Sequence, residues 1–193
     1  MSSTNRGYDR HKSDYYVTPH KPIKDFITAF LIQEPDAIRG KNILDPCAGG
    51  DKYNVMSYPT VISKFSPNSI QTYDIREDSL ANKKVDYLKY NVKPNYYDVI
   101  FSNPPFCIAE DFIRKGLNDV KMGGFVIMLL RLNFFGSKKR KPLFIEYMPK
   151  YHFIHSERIS FITTEKSKTD SIEYAHFVWQ KGYTEDYSKG FLI

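Results

Sequence analysis

Asn103-Pro104-Pro105-Phe106 follows the apolar run Tyr97-Asp98-Val99-Ile100-Phe101-Ser102 and sets one amide and one aromatic ring on a rigid turn. Each proline fixes φ near about −65° and removes a backbone donor, so the run must stop there and nearby carbonyls lose their ladder partners. Free acceptors beside a ring suit a flat ligand that bears an amino group. The side-chain oxygen of Asn103 and the carbonyl of Pro104 can both accept from an exocyclic NH2, and Phe106 can stack on the ring that carries it. An adenine swung out of its stack has that chemistry.

Ser102-Asn103-Pro104-Pro105-Phe106 resembles the catalytic motif of the S-adenosylmethionine-dependent amino-methyltransferases, Asp/Asn/Ser-Pro-Pro-Tyr/Phe, and in particular the adenine-N6 DNA methyltransferases. Upstream, Asn42-Ile43-Leu44-Asp45-Pro46-Cys47-Ala48-Gly49-Gly50 reads as a short buried strand entering a small-residue loop, which lets backbone approach a ligand closely. It resembles the family's first cofactor motif. The resemblance implies that Asp45, Pro46, Cys47, Ala48 and Gly49 hold the amino acid portion of S-adenosyl-L-methionine. Asp51 stands where the family has a further glycine, and Lys52 to Pro59 does not read as a helix.

Ile70-Gln71-Thr72-Tyr73-Asp74-Ile75 is a β-rich run ending in a carboxylate. In doubly wound folds an acid at the end of the second strand accepts from ribose hydroxyls, which points to Asp74. The resemblance implies that Ile75 lies against the cofactor adenine, and that Val85-Asp86-Tyr87-Leu88 is the third motif, with Asp86 accepting from the adenine amino group and Tyr87 beside it. Asp14-Tyr15-Tyr16-Val17-Thr18-Pro19 resembles the N-terminal motif, implying Tyr16, Thr18 and Pro19 over the cofactor methionine. Its place ahead of the glycine loop matches one subgroup of adenine methyltransferases.

These residues need a scaffold. Ile23, Phe26, Ile27 and Phe30 fall at helical spacing, with Pro22 near the start. Ile108 to Leu117 reads as a helix with Ile113 and Leu117 inward. Gly123-Gly124 punctuates the chain, and Phe125 to Leu130 is a continuous apolar run, as expected of a central strand covered on both faces. It ends in Arg131, beside Phe134 and Phe135 as candidate walls of a substrate pocket. Arg158 to Phe161 and Glu173 to Gly182 read as two final antiparallel strands around a polar loop from Thr163 to Ser171. The expected fold is α/β, a Rossmann-like class I methyltransferase fold with a mostly parallel sheet and a C-terminal antiparallel hairpin. Asp45, Asp74, Asp86, Asn103 and Arg131 then share the carboxyl edge of the sheet, where such folds bind ligands.

Lys138-Lys139-Arg140-Lys141 puts four cations after that edge, a candidate contact to nucleic-acid phosphates. Phe161 is a candidate for cradling the base. The 193 residues fit one domain, 14–193, behind a polar tail, 1–13, without a separate target-recognition domain. A net charge of +6 favours a polyanionic partner, DNA or RNA. The five histidines and two cysteines make no zinc spacing, so no metal is expected. Two cysteines and no long apolar run predict a cytoplasmic protein with no membrane partner, a monomer or weak dimer. The expected activity is methylation of adenine N6 in DNA. RNA bases, a protein glutamine amide, or nucleic-acid binding without turnover remain the alternatives.

Overall fold

A computed structural model describes residues 16–162 and 172–193. The tail expected at 1–13 and the polar loop expected at 163–171 lie outside these residues. The chain alternates helix and strand: α1 His20–Gln33, β1 Asn42–Asp45, α2 Ser57–Ile62, β2 Ser69–Asp74, β3 Lys83–Lys84, β4 Tyr97–Ser102, α3 Ala109–Asp119, β5 Val120–Arg131, α4 Lys141–Glu146, β6 Tyr151–Ile154, β7 Tyr174–Gln180 and β8 Lys189–Leu192. The strands form one sheet in the order β3-β2-β1-β4-β5-β7-β6-β8. Among the described strands only β7 runs against its neighbours, β5 and β6.

Two apolar layers cover this sheet. On one face Ile23, Phe26, Ile27 and Phe30 of α1 are fully buried with Tyr58, Val61 and Ile62 of α2. Burying side chains of this size stabilises by about 1.5–3 kcal/mol each. Ile113 and Leu117 of α3 pack inward on the other face against Ile100, Val126 and Met128. Every residue from Phe125 to Leu130 is buried, as expected of a strand between two layers.

Three expectations need correction. Gly123-Gly124 does not end a segment. β5 runs through it, and the β4–β5 register shifts between Tyr97↔Val120 and Val99↔Phe125, so the glycines form a bulge. A Cβ on Gly124 would lie 2.8 Å from the carbonyl oxygen of Asp98, which leaves room for glycine alone. Arg158 to Phe161 is not a strand: the antiparallel partner of β7 is β6, four residues long, and β8 adds parallel to β6 at the sheet edge. Finally, the segment from Lys52 to Pro59 does contain helix, because α2 starts at Ser57 with Pro59 in its first turn, where a missing N–H is harmless.

Candidate functional site

Strand ends β1, β2 and β4 meet at a pocket lined by the glycine loop from Pro46 to Gly50, by Asp74 to Arg76, by Val85 to Tyr87 and by Asn103 to Phe106. Tyr16, Val17 and Thr18 close one side. Most of the residues singled out in the sequence are therefore brought together. Pro19, Asp45, Arg131, Phe161 and the run Lys138 to Lys141 are not on this wall.

The acids shape the pocket more than they face it. Asp45 is 1% exposed, and its Oδ1 accepts from the Cys47 backbone N–H at 3.1 Å and from the Ser102 hydroxyl at 3.0 Å. It thereby ties the glycine loop to the strand end that carries Asn103. Its Oδ2 has no partner among the described residues. Burial pushes the Asp45 carboxyl up to about 7, against the pull of the Cys47 and Ser102 hydrogen bonds. Asp74 accepts from the Gly49 N–H through one oxygen and from the Arg76 N–H through the other, each at 2.8 Å. Gly49 and Gly50 both take positive φ, 64° and 73°, and Gly50 has no space for a Cβ, which would lie 2.9 Å from Met56 Cγ.

Asp51, the departure from the family motif, has a local structural role. Its Oδ1 accepts from the backbone N–H groups of Tyr53 and Asn54 at 2.7 and 2.8 Å, and its own N–H donates to the Asn54 carbonyl. This tight Asx turn replaces a further glycine in bending the chain toward α2. Asp86 is half-buried on the pocket wall, receiving the Leu88 N–H at 3.1 Å and pairing with Lys89. Tyr87 contributes its ring, since its hydroxyl donates away to Asp119 at 2.7 Å. Ile75 is 64% exposed on the same wall, an apolar side chain open to a ligand.

At the Pro-Pro turn, the amide nitrogen of Asn103 donates to Thr18 Oγ1 at 3.1 Å. Neither Asn103 Oδ1 nor the Pro104 carbonyl has a protein partner among the described residues. Phe106 is half-buried on the wall, its centroid 5.9 Å from Tyr174, with the Arg131 guanidinium 5.2 Å over its face. Phe161 stands one layer back, edge-on to Tyr174 at 5.1 Å and 6.3 Å from Tyr16. The N-terminal segment is held down by a bridge in which Val17 and Ile162 exchange backbone hydrogen bonds.

Phe134 and Phe135 do not wall the pocket. Phe134 is buried between α4 and β7, and both rings pack on Phe144 and Phe177. Arg140 is engaged by its own turn, donating to the Phe134 carbonyl at 2.8 Å and lying over that ring, whereas Lys138, Lys139 and Lys141 are exposed. Several wall residues escaped the sequence reading, Arg76 and Tyr58 among them. Arg76 follows the β2 acid and forms a two-point pair with Asp78. Tyr58 comes from α2, which no periodicity announced, and its hydroxyl meets His176 Nε2 at 2.9 Å while His176 Nδ1 meets His155 Nε2 at 2.8 Å.

Among solved structures, a candidate RNA methyltransferase of Pyrococcus horikoshii superposes with a TM-score of 0.67 at 15% identity, covering 93% of each chain. A candidate class I S-adenosylmethionine-dependent methyltransferase of Listeria monocytogenes gives 0.62 at 15% identity, covering 91% of this chain and 64% of that one. The protein has the class I methyltransferase fold. A tRNA methyltransferase of Aquifex aeolicus shares that fold with a TM-score of 0.56 at 15% identity, covering 92% of this chain and 74% of its own. No family model matches the sequence, and no curated protein matches it. Among the described residues no helix is long and apolar enough to cross a membrane, and no group of three His, Cys, Asp or Glu side chains could hold a metal ion.

Proposed function

We propose that the protein is an S-adenosyl-L-methionine-dependent methyltransferase acting on the exocyclic amino group, N6, of adenine in DNA. The orientation of Asn103 carries this reading. With its nitrogen committed to Thr18, its oxygen is left beside the Pro104 carbonyl and the ring of Phe106, giving two acceptors and one stacking face on one wall. A ligand with a planar NH2 satisfies all three.

The residues around the pocket suit the cofactor. Asp45, behind the wall, ties down the glycine loop that would hold the cofactor and keeps one buried oxygen without a partner among the described residues, and Ile75 offers an open apolar face to an adenine ring. Asp86, Tyr87 and the loop from Pro46 to Gly49 would hold the remainder, while Tyr16 and Thr18 cover it. When bound, S-adenosylmethionine supplies an electrophilic methyl group on a sulfonium. The chain's own work is on the base. Adenine's amino lone pair is delocalised into its ring, and accepting both N–H protons at Asn103 Oδ1 and Pro104 O favours a more tetrahedral, more nucleophilic nitrogen. The same oxygens face the positive charge that develops there. Phe106 fixes the plane of the base, an orientation effect. Arg131 over the Phe106 ring and the lysines at 138, 139 and 141 would supply cations for phosphate.

RNA adenine is the second reading, favoured by the likeness to structures described as RNA and tRNA methyltransferases. Incubation with labelled cofactor and separate DNA, RNA and protein pools, followed by mass identification of the modified unit, tests both. Label in N6-methyldeoxyadenosine is expected. Label in RNA alone would transfer the same chemistry to the second substrate, and label in neither nucleic acid would sink the proposal.

A further inference from the structure

Tyr73 and Asp74 are successive residues of β2, so their side chains leave the strand on opposite sides. Asp74 faces the pocket described above. Tyr73 lines a separate cleft of about 350 Å³ that shares no residue with that pocket. The cleft exists because the long crossover from β3 to β4, residues 85–96, contains no helix, where a parallel sheet ordinarily has one covering its face. Tyrosines take the helix's place.

The arrangement is regular. Tyr73 and Tyr97 are almost fully buried, and their hydroxyls lie 3.0 Å apart. Both donate to Gln71 Oε1, which leaves the Gln71 NH2 without a partner among the described residues. Tyr90 packs edge-to-face on Tyr73 at 5.5 Å, and Tyr96 on Tyr97 at 5.2 Å. Each outer ring carries an ammonium: Lys83 lies 5.0 Å from the Tyr90 centroid and donates to its hydroxyl at 2.9 Å, and Lys93 lies 4.6 Å from the Tyr96 centroid. Among the described residues no carboxylate lines the cleft. An amide donor with its oxygen fixed from behind, between two lysines and with no competing acid, has the donor set of an anion site.

We propose that this cleft binds a backbone phosphate of the nucleic-acid substrate, at a distance along the strand from the base held at Asn103; this rests on the nucleic-acid reading above. A phosphodiester supplies acceptor oxygens to Gln71 and to both lysines at once, and a polynucleotide is the phosphate source that the net charge of +6 favours. Such a contact gives the protein a second hold on its substrate.

Fluorescence anisotropy with a labelled oligonucleotide, across a salt series, tests it on three proteins: the wild type, Lys83→Gln/Lys93→Gln, and Lys64→Gln, an exposed lysine away from the cleft. The double variant is expected to bind about tenfold more weakly at low salt, with a salt slope lower by about one to two, as for one or two lost phosphate contacts. Cofactor titration by calorimetry should be unchanged, and Lys64→Gln should behave as wild type. Equal effects from Lys64→Gln, or no effect from the double variant, would overturn the cleft while leaving the nucleic-acid reading intact. Failure of the wild type to bind any oligonucleotide would instead strike that reading. Inorganic phosphate shifting the amide signals of Gln71 and Tyr97 when oligonucleotide does not would identify a free-phosphate site and overturn the proposal too.

Discussion

Asn103, at the end of β4, gives an amide N–H to the hydroxyl of Thr18, which precedes α1, across 3.1 Å. Thr18 is 2% exposed, so this acceptor is fixed by its surroundings. An amide gripped by its nitrogen has one place left for its oxygen, and that oxygen is the group expected to receive the substrate NH2. On the other side, Ser102 donates to Asp45 and ties the same turn to the glycine loop. The turn is thus braced from both directions.

Replacing Asn103 with alanine removes one of the two acceptors. Turnover is expected to fall by about 100-fold or more, the scale seen when a preorganised polar group is removed. Cofactor affinity by calorimetry should stay close to wild type, because the loop from Pro46 to Gly49 is untouched. Retained turnover would disprove the assigned role.

Thr18→Val keeps the shape and loses the hydroxyl. The Asn103 amide is then free to turn, and kcat should drop about tenfold, the equivalent of one hydrogen bond of about 1.4 kcal/mol. Thr18→Ser restores the acceptor and should recover most of the rate. Equal loss in both variants would point to packing and away from amide orientation.

Phe106→Ala deletes the stacking face. Loss of a base–aromatic contact of about 1–3 kcal/mol should appear mainly as a raised KM for the nucleic acid. Phe106→Tyr keeps the ring and should remain near wild type in steady-state assays.

Stability should fall on acidification from pH 6.5 toward 4, for a reason located at two buried histidines. Burial pushes His155 down to about 4 and holds His176 well below its usual range, so the unfolded chain takes up protons that the folded one does not. Asp45 works the other way: with its carboxyl raised to about 7, the folded chain binds the extra proton between about 4 and 7 and gains stability as pH falls. Urea unfolding at stepped pH should therefore show a steeper acid loss in Asp45→Asn than in wild type, by up to about 1.4 kcal/mol per pH unit. Parallel curves for the two proteins would contradict the raised carboxyl.

Gly124→Ala places a Cβ 2.8 Å from the Asp98 carbonyl and 2.9 Å from that of Lys121. Overpacking against backbone should destabilise by about 1–3 kcal/mol in denaturant titration, far from the pocket and without changing cofactor affinity.

Much of the scaffold was legible because the apolar runs at 97–102 and 125–130 are long and α1 has a clean helical stripe. The pocket wall from residues 46 to 50, 74, 75, 86 and 103 to 106 was legible through motif order. Arg158 to Phe161 misled for a physical reason: Ile159 and Phe161 are buried in alternation, as in a strand, yet this follows from packing against the body, with only Ile162 bridging to Val17. β6 was too short to announce itself between α4 and the polar loop. Asp74, read as a ligand acid, also receives the N–H groups of Gly49 and Arg76; such loop-to-loop bonds leave no periodic trace in a sequence.

The bridge between Val17 and Ile162 has a bearing on biogenesis. A chain emerging from the ribosome can build the helix at 20–33 and begin pairing its first strands, but the backbone bridge that pins the segment carrying Thr18 cannot close until residue 162 has been made. The amide at 103 is consequently set late in maturation, and a truncated translation product would carry the motif without a finished site.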